Sequence, residues 1–150
     1  MKYQEWEATV PEAIRGDSLW KAKVYRLALF SCKIGWHDVT NLFNDRRTRS
    51  LSDQLYRALG SISANIAEGY SRSSSKERAH FYEYALGSTR EARDWYYKAG
   101  DVLTAPVIAH SIMLLSEIIR MLLVMIPDQR GTVLKEETIE YQIDLTDASM

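Results

Sequence analysis

Apolar side chains recur at steps of three and four along four long stretches of this chain, the period of a helix with a buried face. The first stretch runs from an Asp17-Ser18 cap to about Trp36 and carries Trp20, Val24, Leu27, Ser31 and Ile34. The second begins near Ser50, carries Leu51, Leu55, Leu59, Ile62 and Ile66, and meets a natural left-handed stop at Gly69. The third opens on Ser74-Ser75-Lys76-Glu77, an S-x-x-E capping box, and places Phe81, Tyr84, Ala85, Ser88, Ala92, Trp95 and Ala99 on one face as far as Gly100. Gly87-Ser88 in mid-helix lowers propensity but permits close approach of a neighbouring backbone. The fourth starts after Thr104 with Pro106 in its first turn, is apolar over half its circumference from Ile108 to Ile126, and stops at Pro127.

Only three prolines and seven glycines occur, mostly at these boundaries. The expected fold is therefore all-α, an antiparallel up-down-up-down four-helix bundle over residues 17–127, after an N-terminal extension at 1–16. Residues 128–150 form an acidic tail, extended or disordered. Within it Ile139, Tyr141, Ile143 and Leu145 alternate with polar residues, so the tail pairs with its like in another subunit, docks elsewhere, or stays disordered.

The net charge of −1 argues against a surface that grips nucleic acid all over. It hides an asymmetry: residues 1–127 hold 17 Lys and Arg against 14 Asp and Glu, whereas the tail holds 2 against 6. The single cysteine, Cys32, excludes an internal disulfide and fits a reducing compartment, and the start of the chain has no apolar signal region. The apolar run Ile118 to Ile126 is interrupted by Arg120 and is too short to span a bilayer. A cytoplasmic protein with no membrane partner is expected.

Catalytic chemistry finds little support. His37, His80 and His110 are scattered, and the one Glu-x-x-His, Glu77 to His80, has no second copy to complete a carboxylate-bridged metal site. Cys32 falls on a packing stripe, no glycine-rich phosphate loop occurs, and Glu136-Glu137 lie in the tail. No catalytic residue, metal, cofactor or small-molecule substrate is expected. Two basic clusters remain as anion contacts: Arg46, Arg47 and Arg49 in the link between the first two helices, and Arg72, Lys76 and Arg78 around the start of the third. One traverse of the bundle separates them.

The first and third helices each carry a second apolar stripe. Tyr25, Leu29, Cys32 and Trp36 project roughly 160° from the first stripe, and Tyr82, Leu86 and Tyr97 point nearly opposite the core face of the third. A single bundle core covers one face of each helix, so Tyr25, Leu29, Trp36, Tyr82, Leu86 and Tyr97 are candidate oligomer contacts. The alternative cover is the Trp6 segment or the tail folding back.

Gln54-Leu55-Tyr56-Arg57-Ala58, then Ser61-Ile62-Ser63-Ala64-Asn65-Ile66-Ala67-Glu68-Gly69, Ser71-Arg72 and Ser75-Lys76-Glu77 closely resemble a family of bacterial four-helix-bundle proteins encoded in the intervening sequences of large-subunit ribosomal RNA genes. Leu19-Trp20-Lys21-Ala22 and the run Phe81 to Ser88 match as well, so the resemblance spans about residues 18 to 126. It implies a cytosolic bundle forming a homo-oligomer, a pentameric ring in related proteins. It also implies kinship with the accessory variability protein of diversity-generating retroelements, a basic barrel that binds a reverse transcriptase and nucleic acid. Gln54, Arg57, Ser61, Asn65 and Glu68 lie within about 80° of one another beside the apolar stripe, a polar border that caps or bridges to a neighbouring helix or subunit, with Gly69 closing it.

These features support a non-enzymatic, self-assembling scaffold that binds RNA, DNA or a nucleic-acid-associated protein through its basic links. The alternative is a protein-binding module acting through the apolar second faces and the acidic tail, with no nucleic-acid contact.

Overall fold

A computed structural model describes residues 1–130, and all its regular structure is helical: α1 (Tyr3–Glu7), α2 (Glu12–Arg15), α3 (Lys23–Phe43), α4 (Arg49–Tyr70), α5 (Ser75–Lys98) and α6 (Ala105–Arg130). Nearly all of the acidic tail lies outside the described residues. Around one core α3 packs on α4, α4 on α5 and α5 on α6, and α3 meets α6 over a smaller surface. Leu42, Leu55, Leu59, Ile62, Ile66, Leu115, Ile118 and Leu122 are fully buried there.

The long helices start and stop differently from the expected boundaries, for local reasons. Asp17 caps a 3-10 turn at Ser18–Lys21 by accepting from the Leu19 N–H at 3.0 Å, so α3 begins only at Lys23 and then runs past Trp36 to Phe43. Asp45 caps a second 3-10 turn, Arg46–Thr48, which leads directly into α4. Gly69 is not a stop. It is buried inside α4, and a β-carbon there would lie 2.7 Å from the Tyr82 ring, so its bareness admits that ring. Gly87, by contrast, faces open space and makes no close approach. The Ser74 hydroxyl accepts from the Glu77 N–H at 3.4 Å, one half of the expected capping box. Pro127 lies within α6, whose last turn is held from outside: Gln129 accepts from Arg78 at 2.8 Å, and Arg130 pairs with Glu83.

The faces also shift. On α5 the buried residues are Ala79, Tyr82, Ala85, Thr89, Ala92 and Tyr96, whereas Tyr84 is half exposed. Two apolar stripes left the choice open in sequence; the alanines mark where α4 and α6 approach. Tyr82 is thus a core residue covered within its own chain, and Tyr25, Leu29 and Leu86 are partly buried against the core. Only Trp36, 60% exposed, and Tyr97, 76% exposed, remain open among the six expected contacts. The N-terminal extension packs against the same helix: Trp6 is buried, with ring centroids 5.4 Å from Phe30 of α3 and 6.0 Å from Trp20.

By length and composition α6 is apolar enough to cross a membrane, contrary to the expectation from the interrupted run Ile118 to Ile126. Its buried side, Ser111, Leu114, Leu115, Ile118, Ile119 and Leu122, forms part of the core. The opposite side is mixed: Met113 is exposed and Val124 half-buried, beside the Arg120–Glu117 ion pair and Ser116, which accepts from Arg93 at 3.2 Å.

Candidate functional site

The two basic clusters sit at opposite ends of α4, about 32 Å apart for 22 residues rising ~1.5 Å each. In the first, Arg47 donates to both Asp45 carboxylate oxygens at 3.1 and 2.9 Å, and the guanidinium holds that carboxyl down at about 2. Arg49 donates to the Phe43 carbonyl at 3.1 Å and lies over its ring, while Arg46 stands exposed. Two of the three guanidiniums are therefore held by their own link.

The second cluster is split by role. Arg78 donates to Gln129, to the carbonyls of Arg72 and Ser73 and to the Ser75 hydroxyl, at 2.7 to 3.2 Å. It staples the α4–α5 turn to the end of α6, and its donors are committed to the fold. Arg72 and Lys76 instead line an open cleft of about 750 Å³ with Ser74, Glu77, His80, Phe81 and Arg130. Arg130 comes from the far end of the described chain, and sequence order gave no hint that it joins the others. The cleft also contains the start of α5, whose free N–H groups carry partial positive charge. Cations at that end repel the helix dipole, and Glu77 in the first turn, Glu68 beside Arg72 and Glu83 beside Arg130 offset them in part. Arg72 is balanced in part by Glu68 at 3.1 Å and lies 4.8 Å over the Phe81 ring.

The polar border of α4 bridges to a neighbouring helix. Ser61 and Ser88 share a hydrogen bond of 2.9 Å across α4 and α5, and Asn65 donates to the Ser61 hydroxyl and carbonyl at 2.9 and 2.8 Å. Arg57 pairs with Asp53 at 3.3 Å, whereas Gln54 is exposed.

One polar group was missed. Asp38 is buried in α3, and its carboxylate accepts from the Tyr96 hydroxyl at 2.6 Å. Burial pushes the carboxyl above its usual range, opposed by the Tyr96 hydrogen bond and by His37 and His110. Burial and the neighbouring carboxylate push the Tyr96 phenol up as well. The signal was present: Asp38 stands seven positions after Ser31, on the first apolar stripe of α3. No cluster of three or more His, Cys, Asp or Glu residues suited to a metal occurs among the described residues.

The profile of the 23S rRNA-intervening sequence protein family matches residues 21–124, which include α3, α4, α5 and most of α6. The chain belongs to that family. A solved structure from Bacteroides thetaiotaomicron, described as a protein of unknown function from the S23 ribosomal protein family, shares the fold. It is 22% identical with a TM-score of 0.65, over 69% of this chain and 97% of that one. No curated protein matches the sequence. The family match leaves out the Trp6 segment and Arg130, so the N-terminal cover and the third cation of the cleft lie outside the shared region.

Proposed function

We propose that this member of the 23S rRNA-intervening sequence protein family is a non-enzymatic, cytoplasmic scaffold. It is an antiparallel up-down-up-down bundle that assembles with copies of itself and takes the backbone of a nucleic acid in the Arg72–Lys76–Arg130 cleft. The antiparallel arrangement is supported by Arg78 and Glu83, near the start of α5, reaching Gln129 and Arg130 at the end of α6. Assembly is supported by the open aromatic side chains Trp36 and Tyr97 on the second stripes of α3 and α5 and by the exposed Met113 on α6. A ring of five copies is the arrangement the family resemblance favours.

The observation that carries the binding reading is the meeting of Arg72, Lys76 and Arg130 at the positive end of α5 in one open cleft. Phosphate contacts release counterions, so binding of a labelled single-stranded RNA should weaken steeply between about 50 and 200 mM salt. Arg72→Ala with Lys76→Ala should flatten that dependence. Salt-insensitive binding, or no binding at the lowest salt, removes the nucleic-acid reading; in the latter case the exposed Trp36, Tyr97 and Met113 favour a protein partner.

A further inference from the structure

A groove of about 610 Å³ runs along the outer flank of α3, on the side of α4. Its lining is largely apolar: Val10 and Ile14 of the N-terminal extension, Leu29, Cys32 and Trp36 of α3, and Tyr56 of α4. Three large apolar side chains stand open there, with Trp36 60%, Ile14 41% and Tyr56 38% exposed. The Trp36 and Tyr56 rings meet edge to face at 5.4 Å between centroids and form one aromatic wall. The apolar stripe also continues past the groove. Leu29, Trp36 and Phe43 recur every seven residues on α3, within about 40° of one another and over about 21 Å, and Phe43 is exposed.

A segment that fits this stripe is apolar along one edge for about 20 Å and polar along the other. Residues 139–145 of this chain carry that pattern. Ile139, Tyr141, Ile143 and Leu145 alternate with Glu140, Gln142 and Asp144, so extended backbone puts the four apolar side chains on one edge some 20 Å long. Charge matches as well: Lys33 lines the groove and Arg49 lies over the Phe43 ring, whereas the polar edge of the segment is acidic.

Reach decides whose segment it is. The groove opens on the α4 side of α3, while α6 meets the other flank of α3, at a separate seam lined by Ile34, His37, Val107 and His110. Gln129 and Arg130 are held to Arg78 and Glu83 of α5, so the chain leaves α6 on the far side of the core from the groove. Only residues 131–138 link Arg130 to Ile139, about 26 Å at full stretch, and a bundle two helices thick is on the order of 20 Å across. A chain rounding its own bundle to lie along α3 would have to run taut the whole way. The tail of a neighbouring copy meets no such limit.

We propose that this groove takes the apolar edge of a second copy's tail, with Ile139, Tyr141, Ile143 and Leu145 laid along α3 between Leu29 and Phe43. The contact rests on the self-assembly reading given above and names the surface and the segment that join one copy to the next. It is independent of the Arg72–Lys76 cleft.

The groove contains the chain's single cysteine, so its occupancy can be read directly. The test follows the rate at which Cys32 reacts with a maleimide in the full chain, from 1 to 200 μM, beside sedimentation at the same concentrations. Parallel samples are the full-length double variant Ile139→Asp/Ile143→Asp, and the parent with excess synthetic peptide 131–150. Cys32 of the parent should react about tenfold more slowly once copies assemble, and dilution should restore the fast rate as the assembly dissociates. The double variant should react fast and sediment as a smaller species at every concentration. Both substitutions lie outside the folded core, and an unchanged thermal melt shows that the bundle is intact. Excess peptide should break the assembly yet keep Cys32 slow. Slow reaction that persists in the dissociated monomer means the chain's own tail fills the groove and overturns the proposal. Assembly that leaves Cys32 fast, or that the double variant retains in full, also overturns it while the self-assembly reading stands. A monomer at every concentration removes both.

Discussion

Tyr96 and Asp38, 58 residues apart in sequence, meet in a buried 2.6 Å hydrogen bond that ties α5 to α3. The phenol donates a hydrogen bond to a carboxylate that water barely reaches, so each partner is costly without the other.

Tyr96→Phe removes the donor and keeps the ring. It should lower the unfolding free energy by about 1–3 kcal/mol in urea titration. A change under about 0.5 kcal/mol would mean the bond contributes little.

The pH dependence follows from the direction of the Asp38 shift. Its carboxyl is raised in the folded chain, so the folded state holds the proton more tightly than the unfolded state. That contribution is full below the unfolded value near 3.8 and is lost as pH rises through the higher folded value. Asp38→Asn should abolish this loss and melt higher than the parent at neutral pH, with little difference near pH 3. A variant that melts lower at neutral pH contradicts the assignment.

Two glycines in neighbouring helices should respond in opposite directions. Gly69→Ala drives a methyl group into the Tyr82 ring and should cost about 1–3 kcal/mol. Gly87→Ala meets nothing within 4 Å and should gain about 0.5–1 kcal/mol from helix propensity. Paired denaturant curves read both.

Trp6 lies outside the residues the family shares, yet it is packed on Phe30, Trp20 and Tyr3. Trp6→Ala should therefore cost about 3–5 kcal/mol and uncover the α3 flank, visible as increased dye binding to exposed apolar surface. A shift of less than about 1 kcal/mol would show the segment to be an ornament on a self-sufficient core.

The four long helices were legible because periodicity is a property of each segment alone. Leu55, Leu59, Ile62 and Ile66 declare their face without reference to any neighbour. Tyr82 and Tyr84 did not, since a helix gripped from two sides carries two stripes and only the partners decide which is inside. Gly69 read as a stop because an αL cap and a bare contact point use the same residue. Arg130 joins Arg72 and Lys76 through a contact 47 residues long in sequence, between Arg130 and Glu83, which no local pattern encodes. Asp38 was readable as a polar interruption of an apolar stripe, and its partner was not.

Self-assembly is the claim on which the scaffold reading stands, and the exposed Trp36, Tyr97 and Met113 are the side chains it would cover. Sedimentation equilibrium of the full chain at micromolar concentration measures it directly. The account predicts a defined multiple of the 17.3 kDa subunit that breaks down when Met113 and Val124 on the outer face of α6 are replaced by glutamate. A stable 17.3 kDa monomer across that concentration range, with its fold intact, contradicts it.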